Sequence, residues 1–371
     1  MRKITTNILL CMFILCSCIP SIGQSPTISL PSAETAPPKS VDTADLTTYI
    51  EKNLSCEIFI NAKWGDGENE FGFLRKHDSN DYQISEPYPP VFNEQGDLFF
   101  FDTVNEKIFM YSKNEKTPKI IRMPNLYSPN FLPGTTPWTS NISVSNDKIF
   151  FLTKGVKESG RYIFRLLALS IKNNELTMID LEPYYPQNIT RGDAILADKN
   201  GGIYIIFDRI VIHYDEKLQS NLLVNSDLVD PIIFYKIGWD GNLYSQGVPD
   251  VVANWGNNIK SFDEQPVYVF QEVHATLTGL NDKSMHDILI GADNIGRLYF
   301  LQYYNEYGKT KDEINIIRFD VQTRTQNVGK ITNKDWLSYS YELAPDGSLY
   351  GLVFNREDYS IQPKIIRCSF S

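Results

Sequence analysis

Cysteine is scarce. There are five in 371 residues, and Cys11, Cys16 and Cys18 all fall near the start. That excludes a disulfide-dense scaffold. Histidine is scarcer still: His77, His213, His274 and His286 are the whole complement. None forms His-x-x-x-His or stands beside a cysteine, so the chain carries no zinc motif. His274 and His286, with Asp282 and Asp287, are metal-capable residue types, but their spacing follows no metal rule and reads as a solvated loop. Nucleophile signatures are missing: no Gly-x-Ser-x-Gly occurs. Gly65-Asp66-Gly67 precedes a polar stretch and not a helix, which excludes a phosphate-binding glycine loop. Asp78-Ser79-Asn80-Asp81 and Asp240-Gly241-Asn242 lack the spacing of a calcium loop. No Lys/Arg cluster stands out, and the formal net charge is −10. An acidic domain repels phosphate backbones, so nucleic acid is excluded as a partner. Helix signals are equally thin. Residues 41–53 (VDTADLTTYIEKN) read as a short helix with Asp42 or Thr43 as its cap.

The first 17 residues have a leader's pattern. Arg2 and Lys3 open it, and Ile8 to Leu15 form an apolar run too short to span a bilayer. No later segment is long and apolar enough to span. Leu15-Cys16-Ser17-Cys18 resembles a bacterial lipobox, which would make Cys18 a lipidated first residue; Cys16 departs from the usual small or aliphatic middle position. The competing reading is plain cleavage after Ser21-Ile22-Gly23, which would leave a secreted or periplasmic protein. Residues 18–44 are rich in Ser, Thr and Pro without periodicity, a composition that buries too little to order itself and suits a tether. The expectation is an exported, lipid-anchored protein of the cell envelope that touches the membrane only through that anchor. Loss of Arg2 and Lys3 with the leader takes the net charge from −10 to −12.

What remains, 45–371, is dominated by a repeated phrase: a polar turn, an aliphatic residue, then an aromatic one. The copies are Gly96-Asp97-Leu98-Phe99, Asp147-Lys148-Ile149-Phe150, Gly202-Ile203-Tyr204, Gly241-Asn242-Leu243-Tyr244, Gly296-Arg297-Leu298-Tyr299 and Gly347-Ser348-Leu349-Tyr350. Their spacing matches one four-stranded propeller blade each. The chain is therefore expected to be all-β, a six-bladed β-propeller. Blade four is read with its outer strands at Ile259–Phe262 and Val267–Val273. Blade six supplies only three strands, ending with 363–370. Ser55–Ala62 is a strand without a neighbour, and pairing it with Lys364–Phe370 closes the ring and hides an edge. That closure sets Cys56 beside Cys368 and predicts a disulfide; the alternative is two reduced, buried thiols. His213, alternating within a strand, reads as a packed side chain.

Residues 64–113 carry a resemblance. Trp64-Gly65-Asp66-Gly67-Glu68-Asn69-Glu70-Phe71-Gly72 is similar to the Gly-rich block that precedes NHL repeats. Val91 to Asp102, continued by Asn105-Glu106-Lys107-Ile108-Phe109-Met110-Tyr111, resembles the NHL repeat itself. The resemblance implies a propeller fold and a binding habit more than a reaction. Asp102 is expected to bond turn backbone.

The connections between blades are rich in aromatics: Tyr88, Tyr127, Trp138, Tyr184, Tyr185, Trp336 and Tyr339. On one rim these rings would stack on sugars or grip side chains of a protein or peptide. Folded inward, they would plug gaps between blades. The functional expectation is a surface-tethered, non-catalytic binding propeller, monomeric, without a cofactor, recognising a protein, peptide or glycan through that aromatic face. The alternative is a metal-dependent lactonase or lyase. Gluconolactonase-type propellers hold calcium on the axis, and Asp193 and Glu342, on expected inner strands, would be the ligands for calcium or another divalent ion.

Overall fold

The computed structural model describes residues 48–51, 53–72, 74–78, 81–85, 87–123, 138–139, 142–156, 162–181, 194–207, 210–225, 234–246, 252–254, 267–270, 285–306, 309–323, 325–333, 336, 341–354 and 360–371. All lie in one compact unit, Asp45–Ser371. The expected leader, Cys18 and the 18–44 tether fall outside the described residues. No helix among the described residues is long and apolar enough to cross a membrane.

The described chain is all-β, and its strands form successive antiparallel sheets. Sheet I runs Val91–Phe92, Leu98–Asp102, Lys107–Tyr111, Lys119–Arg122. Sheet II runs Ser143–Ser145, Lys148–Val156, Tyr162–Ser170, Leu176–Asp180, with Trp138–Thr139 added on Lys148–Val156. Sheet III runs Ala194–Ala197, Ile203–Phe207, Ile210–Tyr214, Ser220–Asn225. Sheet IV runs Phe234–Ile237, Leu243–Gln246, Val252–Asn254, Val267–Phe270. Sheet V runs Met285–Ala292, Leu298–Glu306, Lys309–Asp320, Thr325–Ile331. Sheet VI runs Tyr341–Leu343, Leu349–Val353, Lys364–Phe370 and then Leu54–Asn61 from the other end of the chain. The innermost strands lie side by side in the order I to VI, and Tyr341–Leu343 of sheet VI lies beside Val91–Phe92 of sheet I. This is a β-propeller arrangement.

Leu54–Asn61 pairs antiparallel with Lys364–Phe370, with Cys56 opposite Cys368. The two form a disulfide across a sequence separation of 312.

The repeated phrase has a local cause. In five of its copies the chain makes the same turn. The first residue's N–H donates to the fifth residue's carbonyl, as from Asn93 to Asp97 and Asp293 to Arg297. The fourth residue is always glycine, with φ from +80° to +90° at Gly96, Gly201, Gly241, Gly296 and Gly347. That conformation clashes with a Cβ. Sheet II uses the shorter Asn146-Asp147 turn, with Asn146 taking the positive φ of 51°, which is why its copy needs no glycine.

In five of the six copies the aromatic residue then enters the core shared with the next sheet, while Tyr204 stacks on His213 of its own sheet. Phe99 packs with Phe151 and Leu167; Phe150 with Ile205 and Tyr214. Tyr244 packs with Leu298 and Phe300, and Tyr299 with Leu349 and Ile366. Tyr350 packs with Phe92 and Leu98, joining sheet VI to sheet I. Each ring buried this way contributes about 1.5–3 kcal/mol of transfer free energy.

Residues 64–72 fold over sheet I. Asp102 accepts the Gly72 N–H at 2.7 Å and the Val104 and Asn105 N–H groups at 3.1 Å, as expected of it. The buried Lys107 ammonium donates to the carbonyls of Gly67, Glu68 and Glu70 at 2.7, 3.1 and 2.7 Å. These residues hold a loop in place and are fully committed to it.

Two expectations need correction, and one hairpin was not foreseen. The helix over 41–53 does not form in its described part: Thr48–Glu51 is a strand, parallel to Thr325–Ile331. β-Branched and aromatic residues (Thr48, Tyr49, Ile50) and an open sheet edge outweigh a capping signal. In sheet IV the third strand is Val252–Asn254, and the fourth is described over Val267–Phe270 as expected; the expected Ile259–Phe262 and residues 271–273 lie outside the described residues. The Asp78 and Asp81 pair closes a hairpin, Leu74–Asp78 with Asp81–Ser85, that no periodicity announced.

Candidate ligand-binding site on the axis

The inner strands enclose a cavity of about 260 Å³. Every sheet contributes to its wall, including Phe92 from I, Ser143 from II, Leu196 from III, Ile237 from IV, Gly291 from V and Leu343 from VI. The wall mixes polar and apolar surface in similar amounts, since inner-strand residues alternate and one set of each strand faces the axis. Ser143 is committed to the frame: its hydroxyl accepts the Ala197 N–H at 2.7 Å, tying sheet II to sheet III.

Two turns supply the site's chemistry. Trp239 follows the inner strand of sheet IV and reaches across to sheet VI, where its indole N–H donates to the Leu343 carbonyl at 2.8 Å. Lys199 occupies the same place in the turn of sheet III. Its ammonium sits 3.3 Å from the centre of the Trp239 ring, a cation–π contact. Both residues line the cavity. Burial draws the Lys199 pKa down to about 8, against the pull of Glu94, Glu342, Asp198 and Asp240.

On the same wall, Lys236 of sheet IV and Glu342 of sheet VI pair at 2.9 Å. The other nearby acids are engaged outside the cavity wall. Glu94 accepts from the Ser145 hydroxyl at 3.0 Å and the Asn146 N–H at 2.7 Å. Asp198 accepts from Asn200 and Gly202 and lies 2.6 Å from His213 Nε2. Asp240 accepts the Tyr244 hydroxyl at 2.6 Å. The described wall therefore carries two ammonium groups and one carboxylate.

The expected axial metal ligands fare unevenly. Glu342 does line the cavity, but it is shared with Lys236. Asp193 lies outside the described residues. Among the described residues no group of three or more His, Cys, Asp or Glu is placed to hold a metal ion. Two ammonium groups beside one engaged carboxylate are a poor donor set for a hard divalent cation, so the described lining does not fit calcium.

Two of the expected rim aromatics, Tyr88 and Trp336, are used in packing. Tyr88 lies half-buried with its ring stacked 5.9 Å from Phe101. Trp336 packs half-buried against the core between sheets V and VI, and its carbonyl accepts the Tyr341 hydroxyl at 2.7 Å. Trp138 lies in the short strand added to sheet II. Tyr127, Tyr184, Tyr185 and Tyr339 lie outside the described residues, as do His274 and Asp282.

Sequence reasoning missed Lys199, Lys236 and Trp239. One signal was present. Aligning the five-residue turns puts Glu94, Lys199 and Trp239 in one register, and a Trp inside a polar turn is a large apolar side chain needing cover.

No family model matches the chain, and no curated protein does. Solved propeller structures are similar at low identity. A streptogramin B lyase is 14% identical, with 86% of this chain and 98% of that one covered and a TM-score of 0.41. The calcium-binding protein regucalcin from Agrobacterium tumefaciens is 10% identical, covering 87% and 96%, with a TM-score of 0.43. A gluconolactonase from Xanthomonas campestris is 9% identical, covering 77% and 86%, with a TM-score of 0.41. At these values the likeness decides nothing about activity.

Proposed function

We propose that the chain is a non-catalytic binding propeller, exported and tethered through Cys18, whose six sheets act as six blades of a closed ring. Its ligand seats in the axial cavity. A protein, peptide or glycan reaching it presents one small projecting group to the space between the inner strands. The observation that carries this reading is a cavity of about 260 Å³ walled by all the inner strands and floored by an indole and an ammonium. A concave pocket with a few convergent polar groups is the usual build of a ligand site. Tyr88 and Trp336, taken up by packing, point away from the outer face as the main seat.

Gly291 offers a test. It lines the cavity, and a Cβ added there would stand 3.7 Å from the Leu343 side chain, in ordinary contact. Gly291→Leu should fill the space. The expected outcome is loss of ligand binding in calorimetry with thermal stability kept, while Gly291→Ala binds nearly as the parent does. Unimpaired binding by a folded Gly291→Leu protein would move the seat elsewhere.

A further inference from the structure

The geometry points to a carboxylate as the group this cavity receives: a small organic anion with a compact apolar body, held by Lys199 and Lys236 against Trp239. The inference rests on the axial seat proposed above and names its chemistry.

Lys199 is the anchor. It lies between the walls of the cavity and the face of Trp239. The indole attracts the charge from one side but accepts no hydrogen bond from three N–H donors. Among the described residues nothing else accepts one: no carboxylate or carbonyl lies within bonding distance of Nζ. The side chain is only partly buried and lines the open cavity, so its N–H donors are available to a ligand. Lys107 shows how this chain treats a buried lysine that has only a structural task, giving it three carbonyl partners. Lys199 lacks that treatment and faces open space instead.

The charges around it are accounted for. Glu94 and Asp240 from neighbouring turns and Asp198 from its own turn pull on Lys199, but each is hydrogen-bonded to other groups. Their field keeps Lys199 protonated near neutrality without giving it a contact. Glu342, the one carboxylate on the described wall, is shared between Lys236 and the longer-range pull on Lys199. A second carboxylate brought by a ligand completes two pairs for two ammonium groups. The remaining wall is mixed in polarity, and beside the Trp239 ring the partly exposed Ile195 and Ile237 give a compact apolar body something to rest on. The volume, about 260 Å³, matches an acid on the order of ten heavy atoms.

The test uses the full chain with benzoate as probe, and benzamide and benzylamine as its neutral and cationic counterparts, titrated by calorimetry at pH 7 and pH 9. Benzoate alone should bind, one per chain. Lys199→Met should weaken it tenfold or more, and Lys199→Arg should retain most of the affinity. Affinity should fall from pH 7 to pH 9, since Lys199 loses its proton near pH 8. Lysine labelled at Cε gives a second reading in the unmutated protein: the Lys199 resonance should titrate at higher pH with benzoate present. Equal binding of benzamide, or undiminished benzoate binding by Lys199→Met, would overturn the anion inference while leaving the cavity as the seat, provided Gly291→Leu abolishes it. If no probe binds the unmutated protein and the Cε titration is unmoved, the inference is overturned.

Discussion

Asp198 serves three neighbours at once. One carboxylate oxygen accepts the N–H groups of Asn200 and Gly202, shaping the turn that carries Lys199; the other lies 2.6 Å from His213, whose ring stacks on Tyr204 at 4.3 Å. Burial pushes the Asp198 pKa up, but the hydrogen bonds from His213, Gly202 and Asn200 outweigh it, and the pKa falls below the usual value. A folded-state pKa below the unfolded one stabilises the protein above about pH 4, and that contribution is lost as pH falls through the folded value. Asp198→Asn should therefore cost about 1–3 kcal/mol near neutrality, and the gap to the parent should close below about pH 4. Urea melts across that range would check it. The packed role of His213 was legible in the sequence, because alternation within Ile212-His213-Tyr214 assigns its face. The role of Lys199 was not. A lysine in a polar turn looks solvated until the sheet beside it supplies Trp239.

Strand existence was easier to read than strand partners. Aliphatic-aromatic pairs after each turn marked the second strand of every sheet, since five of the six rings are covered by the following sheet. Leu54–Asn61 was legible for a different reason: sheet VI is one strand short without it. Thr48–Glu51 was misread because a cap signal is local, whereas its pairing with Thr325–Ile331 depends on an edge far along the chain. The disulfide spans 312 residues, so cross-linking restricts the unfolded chain strongly. Replacing Cys56 and Cys368 together by serine should cost roughly 6 kcal/mol at most in the loop-entropy treatment. The strand should still dock, because Phe59 and Ile60 remain buried in the core of sheet I and sheet VI. Denaturant melts of the variant, compared with the parent in reductant, should agree.

For the molecule as a whole, the proposed closed ring has the two ends of the chain meeting in sheet VI, while the Lys236–Glu342 pair and the Trp239–Leu343 hydrogen bond join sheets IV and VI across the cavity. The seat proposed for an anion rests on that ring. The most direct measurement is peptide mapping of the unreduced, alkylated protein by mass spectrometry. The account predicts one cross-linked species joining the peptide that holds Cys56 to the peptide that holds Cys368, with neither thiol alkylated. Recovery of both peptides separately, each carrying the alkyl group, would contradict it.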